Sequence, residues 1–157
     1  MWRIAAAAGI TGGSFGEFGA GVGHFIGMMP KNIKGNFLAV ELDSISGRIL
    51  KQLYPETEVI IKDLAKTLVK RDSLDLVIGN VPFDRVGVHD ADYVGYNLHN
   101  YFIARALDAL KPGGLAVVLT SASTMDSKSI TARANFASRA PFRLSLIILD
   151  HRLSLFY

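Results

Sequence analysis

Residues 16–25 read Gly-Glu-Phe-Gly-Ala-Gly-Val-Gly-His-Phe, and an apolar segment from Phe25 to Met29 follows before Pro30. Glycines at this spacing allow a strand to turn sharply into a helix while the backbone passes close to a ligand. Dinucleotide and adenosyl sites both use such a turn, but a glycine-rich loop also occurs as an ordinary connection between two elements, with no ligand. A second feature is therefore needed to interpret this stretch.

Four short apolar runs on the C-terminal side of the turn indicate strands. They are bounded by turn residues and extend over Phe37 to Leu42, Val59 to Ile61, Leu74 to Ile78 and Leu115 to Thr120. None alternates with polar residues as a half-exposed antiparallel strand does, so both faces of the sheet are expected to be covered. Strands of this kind are typical of parallel sheets in α/β proteins.

Two amphipathic patterns lie between these strands, and their candidate N-caps are Ser44 and Asn97. Their apolar stripes are Ile45, Ile49, Leu50 and Leu53 in the first pattern, and Leu98, Phe102, Ala106, Leu107 and Leu110 in the second. Pro55 ends the first helix, and residues 111–114, Lys-Pro-Gly-Gly, end the second. The alternation predicts one α/β domain over residues 1–157 with an open, doubly wound, mostly parallel sheet.

Glu41 is the second feature that bears on the glycine turn. It ends the run Phe37 to Leu42 near the distance, about 20 residues, at which an acidic residue meets ribose hydroxyls in nucleotide-binding folds. A carboxylate can accept two hydrogen bonds from a 2′,3′ diol. Glu41 could also simply end a strand, but beside the glycine turn it favours a ribose site.

The turn that follows Leu74 to Ile78 reads Gly79-Asn80-Val81-Pro82-Phe83. Because ligands bind beyond the carboxyl ends of the strands in doubly wound sheets, this turn and the glycine turn are expected to share one rim. Asn80 offers an amide oxygen, Val81 and Pro82 offer backbone carbonyls, and Phe83 offers an aromatic face. Such a set suits an amino group on a flat ring: the acceptors would hold the nitrogen in line with an electrophilic methyl, and Phe83 would stack on the ring.

The three motifs, in this order, resemble motifs I, II and IV of the class I S-adenosylmethionine-dependent methyltransferases. The turn at Asn80 resembles the Asn-Pro-Pro-Tyr/Phe form of motif IV in the N6-adenine DNA methyltransferases. Residues 79–83, 98–102 and 120–126 also resemble the methylase modules that are linked with helicases in phages and mobile elements. The likeness covers about residues 17–133, with no target-recognition domain in the chain.

The resemblance implies an enzyme that uses S-adenosylmethionine to methylate the N6 amino group of adenine in DNA. The implied catalytic residues are Asn80, Val81, Pro82 and Phe83. The implied cofactor-binding residues are Glu17, Gly19, Ala20, Gly21, Gly23, Phe25, Glu41, Leu42, Asp63 and Asn80. In the motif III region either Asp63 or Leu64 would meet the adenine, and we favour Asp63.

The sequence departs from the family pattern at several positions. Phe18 stands where the family usually has Pro, and Val81 replaces the first Pro of motif IV. The residues before Phe18 are too rich in glycine for a sound first strand, which predicts a core weakened at the cofactor end. After Arg133 the likeness fades, so we expect the last strands of the family fold to depart from the family pattern or to be missing. We also expect the module to be truncated or split.

Composition limits the other functions. The chain has 157 residues, a mass of 17.0 kDa, no Cys and a net charge of +3, so zinc-cysteine sites and thiol nucleophiles are excluded and metal chemistry is not expected. No apolar run reaches the length of a membrane span, and the segment after Met1 is too short and glycine-interrupted for a convincing signal peptide, which favours the cytoplasm. The basic balance permits a DNA partner, with a helicase or a target-recognition domain on another chain as a further partner.

Three alternatives remain. The same chemistry could act on a glutamine side chain in a protein or on a base in RNA, because motif IV contacts the amino group and not the rest of the molecule that carries it. A degenerate fragment could bind cofactor or nucleic acid and transfer nothing. A nicotinamide oxidoreductase is a more distant alternative, since its dinucleotide loop would not explain the turn at Asn80.

Overall fold

The glycine-rich segment that precedes Phe18 forms a central strand of the sheet. The computed structural model describes residues 1–82, 88, 90–120, 136 and 146–150, the last range for its backbone alone. In it, β1 (Gly12–Phe18) pairs in parallel with β2 (Lys34–Glu41) on one side and with β4 (Leu74–Asn80) on the other. The expectation that this segment is too rich in glycine for a sound strand is therefore wrong.

Close packing between β1 and the strands beside it explains this difference. Phe15 of β1 is fully buried, and its ring lies so close to Gly35 of β2 that a Cβ at that position would overlap it. The rings of Trp2 and Phe37 contact Phe15 edge to face, with centroids 5.8 and 5.4 Å away. The glycines of β1 also lie close to the neighbouring strands: a Cβ on Gly12 would overlap the Lys34 carbonyl oxygen of β2, and one on Gly16 would overlap Leu74 Cδ1 of β4. Glycine is therefore compatible with this strand, and composition alone underestimates it.

Within the described part of the chain the sheet has six strands in the order β3-β2-β1-β4-β5-β6, and every recorded pair is parallel. The remaining strands are β3 (Glu58–Ile61), β5 (Leu110–Thr120) and β6 (Leu146–Asp150). The helices are α1 (Trp2–Ala7), α2 (His24–Gly27), α3 (Ser44–Leu53) and α4 (Leu98–Ala109), with short 3-10 turns at Leu64–Lys66 and Ala91–Tyr93. The predicted doubly wound α/β class is confirmed. The strand β6 lies beyond Arg133 and pairs with β5, so this strand is not missing from the sheet.

Two apolar cores cover the two faces of the sheet. On one face α1, α2 and α3 contribute buried side chains, among them Trp2, Ile26 and Leu50. On the other face α4 contributes Tyr101, Ile103 and Leu107. Both faces of the central strands are thus buried, as expected for parallel strands.

The helix α3 differs from its predicted form in two ways. Its N-cap is Asp43 rather than Ser44, because the Asp43 side chain accepts a hydrogen bond from the Ser46 N–H at 2.7 Å. Of the predicted stripe only Leu50 is buried; Ile45, Ile49 and Leu53 are 60%, 43% and 56% exposed. The periodicity of the sequence predicts the position of the helix but not which apolar residues face the sheet.

The N-cap of α4 is Asn97, as predicted: its side chain accepts a hydrogen bond from the Asn100 N–H at 3.0 Å.

Candidate functional site

The strand order reverses between β1 and β4, since β2 and β3 extend the sheet on one side and β5 and β6 on the other. Ligands of doubly wound proteins bind outside the carboxyl ends of the strands at such a point. Here β1 ends at Phe18, directly before the glycine turn, and β4 ends at Asn80. A Cβ added to Gly19 would lie 4.0 Å from the Asn80 carbonyl oxygen and 3.9 Å from Pro82 Cδ. The two turns therefore share one rim, as the sequence predicts.

A cavity of about 380 Å³ opens at this rim. Its lining comes from Gly19, residues 40–42 at the end of β2, residues 62–64 after β3, residues 80–82 at the end of β4, and Leu98 and Phe102 of α4. This volume lies within the range of small-molecule sites, which combine apolar walls with a few polar groups. The cavity has that composition, because Glu41, Lys62, Asp63 and Asn80 stand among apolar side chains.

The glycine turn is held against β2 by backbone hydrogen bonds. The N–H groups of Gly19 and Ala20 both donate to the Val40 carbonyl, at 2.8 and 3.1 Å. Gly19 and Gly21 have φ values of +75° and +56°, a region that favours glycine. The turn thus reverses the chain tightly at the mouth of the cavity.

Glu41 connects the glycine turn to the end of β2. Its Oε2 accepts from the Gly21 N–H at 2.6 Å, and its Oε1 accepts from the Asp43 N–H at 2.7 Å. A carboxylate has about four acceptor positions, so each oxygen keeps capacity for one further donor. Glu41 can therefore hold the turn and still accept hydrogen bonds from a ligand with two neighbouring hydroxyl groups.

Glu17 lies beneath the turn and is only 2% exposed. Burial raises the pKa of its carboxyl to about 8; the backbone N–H groups of Ile26 and Phe25 lower the pKa, and the nearby Glu41 raises it. Its Oε2 is buried and has no hydrogen-bond partner among the described residues. The protonated form of Glu17 is therefore favoured near pH 7, and its side chain does not line the cavity.

The turn after β3 leaves the choice between Asp63 and Leu64 open, because both line the cavity. The Asp63 Oδ1 accepts from the Ala65 N–H at 2.9 Å and caps the 3-10 turn Leu64–Lys66. Leu64 is buried. Asp63 thus has a structural task in the described residues and a polar side chain at the cavity, whereas Leu64 provides an apolar wall.

At the other end of the cavity, β4 presents the turn with Asn80. Asn80 is exposed, Val81 is buried, and the Val81 N–H donates to the Leu119 carbonyl at 3.0 Å. This bond to β5 fixes the backbone where the turn leaves β4. Asn80, Val81 and Pro82 all line the cavity, while Phe83 lies outside the described residues.

Three of the residues that the resemblance assigns to the cofactor lie behind the turn. Ala20 is buried in the core shared by α1, α2 and α3, and Phe25 packs against that core. Gly23 is the N-cap of α2, and a Cβ on it would overlap the side chains of Leu50 and Tyr54. These residues shape the turn from the core side and are not part of the cavity wall.

The structure adds residues that the sequence interpretation missed. Lys62 lines the cavity beside Asp63, and Leu98 and Phe102 line it from α4. The sequence predicts an apolar helix stripe for Leu98 and Phe102, and a spacing of four residues is the same for a core and a cavity wall.

Among the described residues there is no group of three or more His, Cys, Asp or Glu side chains that could hold a metal ion. The helices that are described are all too short to span a bilayer.

Comparison with known proteins gives one sequence relative. No family model matches the chain. The chain is 33% identical to the protein "Defense against restriction protein B" of Escherichia phage P1, over 90% of this chain and 6% of the phage protein. It therefore corresponds to a small part of that relative.

Comparison of structures gives several neighbours with the same architecture. One is a TehB-like SAM-dependent methyltransferase from Corynebacterium glutamicum, with a TM-score of 0.54 and 23% identity over 74% of this chain and 59% of that chain. Another is phosphoethanolamine N-methyltransferase 2 of Haemonchus contortus in complex with S-adenosyl-L-methionine, with a TM-score of 0.56 and 15% identity over 91% of this chain and 32% of that chain. The chain has the Rossmann-like fold of these methyltransferases.

Proposed function

We propose that this chain is an S-adenosylmethionine-dependent methyltransferase module that methylates the N6 amino group of adenine in DNA. One observation carries the proposal: the glycine turn at Gly19, the carboxylate of Glu41 and the turn at Asn80 border a single cavity at the switch point of the sheet. Each has the chemistry that one part of the reaction needs. The fold shared with methyltransferases supports the same reaction class.

The residues around the cavity fit S-adenosylmethionine as the cofactor. Both Glu41 oxygens can accept from the ribose hydroxyls, Leu42 and Leu64 offer apolar contacts to a flat ring, and Gly19 lets the backbone approach the methionine part. S-adenosylmethionine supplies a methyl group on a positively charged sulfur, which makes that methyl an electrophile. The structural neighbour with this molecule bound is consistent with the assignment.

The turn at Asn80 would orient the amino group of the substrate. The Asn80 side-chain oxygen and the carbonyls of Val81 and Pro82 accept hydrogen bonds from an amine and receive positive charge that develops on its nitrogen. In the proposed role, Phe83 stacks on the base. A base must leave the duplex to reach this turn, at a cost of a few kcal/mol that stacking and hydrogen bonds offset.

DNA is the substrate we favour. The phage relative is named for defence against restriction, which concerns DNA, and the net charge of +3 suits a polyanionic partner. Because the chain spans 6% of that relative, we propose that base recognition depends on a further domain or on a helicase partner. A protein glutamine, an RNA base and a module without activity are the competing possibilities.

The direct test is to incubate the chain with methyl-labelled S-adenosylmethionine and, separately, with DNA free of N6-methyladenine, with RNA and with protein. We expect label in DNA, recovered as N6-methyladenine after digestion. Label recovered only in protein glutamine or only in RNA would move the substrate to that class. Binding of the cofactor without any transfer would favour the module without activity.

Removal of the Glu41 carboxylate should weaken cofactor binding. Hydrogen bonds to charged groups typically contribute about 1.5 to 3 kcal/mol, so we expect Glu41→Ala to weaken the affinity for S-adenosylhomocysteine by at least about tenfold. Titration calorimetry measures this change. However, Glu41 also holds Gly21 and Asp43, so the loss alone does not identify a ribose contact.

A cofactor that lacks the 2′-hydroxyl separates the two roles of Glu41. If Glu41 binds the diol, the variant and the deoxy cofactor remove the same hydrogen bond, and their losses in binding free energy overlap in a double-mutant cycle. If the two losses simply add, Glu41 serves the turn and not the ribose. Glu56→Ala, which removes an exposed glutamate, is the matched control.

A further inference from the structure

Phe102 lies at the point where the glycine turn meets the turn at Asn80. Its Cε1 is 3.4 Å from the position that a Cβ on Gly19 would take. The same position is 3.9 Å from Pro82 Cδ and 4.0 Å from the Asn80 carbonyl oxygen. The side chain is partly exposed and lines the cavity. An aromatic ring is thus present between the part of the cavity proposed for the methionine and the part proposed for the amine.

The helix turn that carries Phe102 is fixed by a buried polar network. The ring of the preceding residue, Tyr101, meets that of Phe102 edge to face, with centroids 6.0 Å apart. The Tyr101 hydroxyl donates to Asp90 at 2.9 Å and accepts from Arg105 at 2.9 Å. Arg105 also donates to the Thr67 carbonyl at 2.7 Å. The Phe102 ring therefore extends from a well-anchored segment of α4.

The charges around the cavity are unevenly placed. Among the described lining residues, the carboxylates are Glu41 and Asp63, which follow β2 and β3, whereas the end formed by Gly19, Pro82 and Phe102 has no carboxylate. Glu17, the acidic residue beneath the turn, is buried and does not line the cavity. A positively charged group at that end would meet the carbonyl of Asn80 and the face or edge of an aromatic ring.

We propose that Phe102 is a specificity-determining residue that binds the sulfonium of the cofactor through a cation–π interaction. The inference rests on the proposed function, because it takes S-adenosylmethionine as the ligand. The ring quadrupole attracts the charged sulfur and has no such attraction for the neutral thioether of S-adenosylhomocysteine. Phe102 would then favour the methyl donor over the spent product.

The test compares the affinities of the chain for S-adenosylmethionine and S-adenosylhomocysteine. We expect Phe102→Leu, which keeps an apolar side chain without a ring, to weaken binding of the charged cofactor about three- to thirtyfold more than binding of the neutral one. Leu98→Ala is the control, since it also removes part of the apolar wall and is expected to weaken both ligands alike. Equal weakening by Phe102→Leu would overturn the inference and leave the proposed function standing.

A second variant tests the cation–π interaction independently of the first. Should Phe102→Leu fail to fold, as judged by circular dichroism, 3,4,5-trifluorophenylalanine at position 102 removes the ring quadrupole while nearly preserving its shape. We expect the same selective loss for the charged cofactor, and an unchanged affinity ratio would overturn the inference. If the parent chain binds neither molecule, the proposed function fails, and the role of Phe102 fails with it.

Discussion

Replacing Asn80 with alanine should lower the rate of methyl transfer by about a hundredfold or more while changing cofactor affinity much less. The loss of one preorganised polar partner of a developing charge commonly has an effect of this size on the rate. The acceptor acts mainly as charge develops on the nitrogen, so its removal affects the transition state more than the bound ground state. Asn80 is suited to this role because it is exposed at the cavity where β4 ends.

Single-turnover rates and cofactor affinities of the parent and of Asn80→Ala measure the two effects separately. The experiment uses the chain, or its complex with the proposed recognition partner, under conditions in which transfer by the parent is detectable. Asn36→Ala is the matched control, since Asn36 is also an exposed asparagine on a strand of the same sheet but lies outside the cavity lining. Unchanged transfer by Asn80→Ala would make the turn a structural feature and would place the reaction elsewhere.

Glu17→Gln should stabilise the protein, and increasingly so as the pH rises from about 5 to 8. The pKa of Glu17 is about 8 in the folded chain, against an ordinary value of 4.5. The folded state therefore holds the proton more tightly than the unfolded state, and the favourable contribution present below pH 4.5 is lost as the pH rises through 8. Glutamine keeps the shape of the protonated acid and has no such loss.

The expected gain of the Gln variant over the parent is about 1.4 kcal/mol for each pH unit in this window. Urea unfolding at several pH values measures the free energy of unfolding of both proteins. Glu56→Gln controls for the loss of one negative charge at an exposed position. A difference between Glu17→Gln and the parent that stays constant with pH would show that Glu17 titrates alike in the folded and unfolded chain.

Much of the fold follows from local sequence patterns. The four apolar runs form strands and the Asn97 pattern forms α4, because short buried β-branched runs and a capped helical stripe are strong signals. The strand β1 could not be predicted, since the close fits of Gly12 against Lys34 and of Gly16 against Leu74 depend on pairings between distant strands. Similarly, nothing local to α3 indicates that Ile45 is exposed while Leu50 is buried.

The candidate site was partly predictable for the same reason. Glu41 and Asn80 end strands, and the carboxyl ends of parallel strands meet at one edge of the sheet, so their proximity to Gly19 follows from topology. Phe102 belongs to a helix whose orientation over the sheet is set by tertiary contacts such as those of Arg105. Its place at the cavity therefore had to come from the structure.

The glycine turn is already ordered by the chain itself. The Gly19 and Ala20 amides are bonded to Val40, and the Gly21 amide is bonded to Glu41. The conformational entropy of this turn is therefore lost when the protein folds, and not when a small molecule enters the cavity. Association is then spared the cost of ordering a loop, about 1 to 2 kcal/mol of backbone entropy per residue. A site built in this way can bind a ligand with few new contacts to the turn.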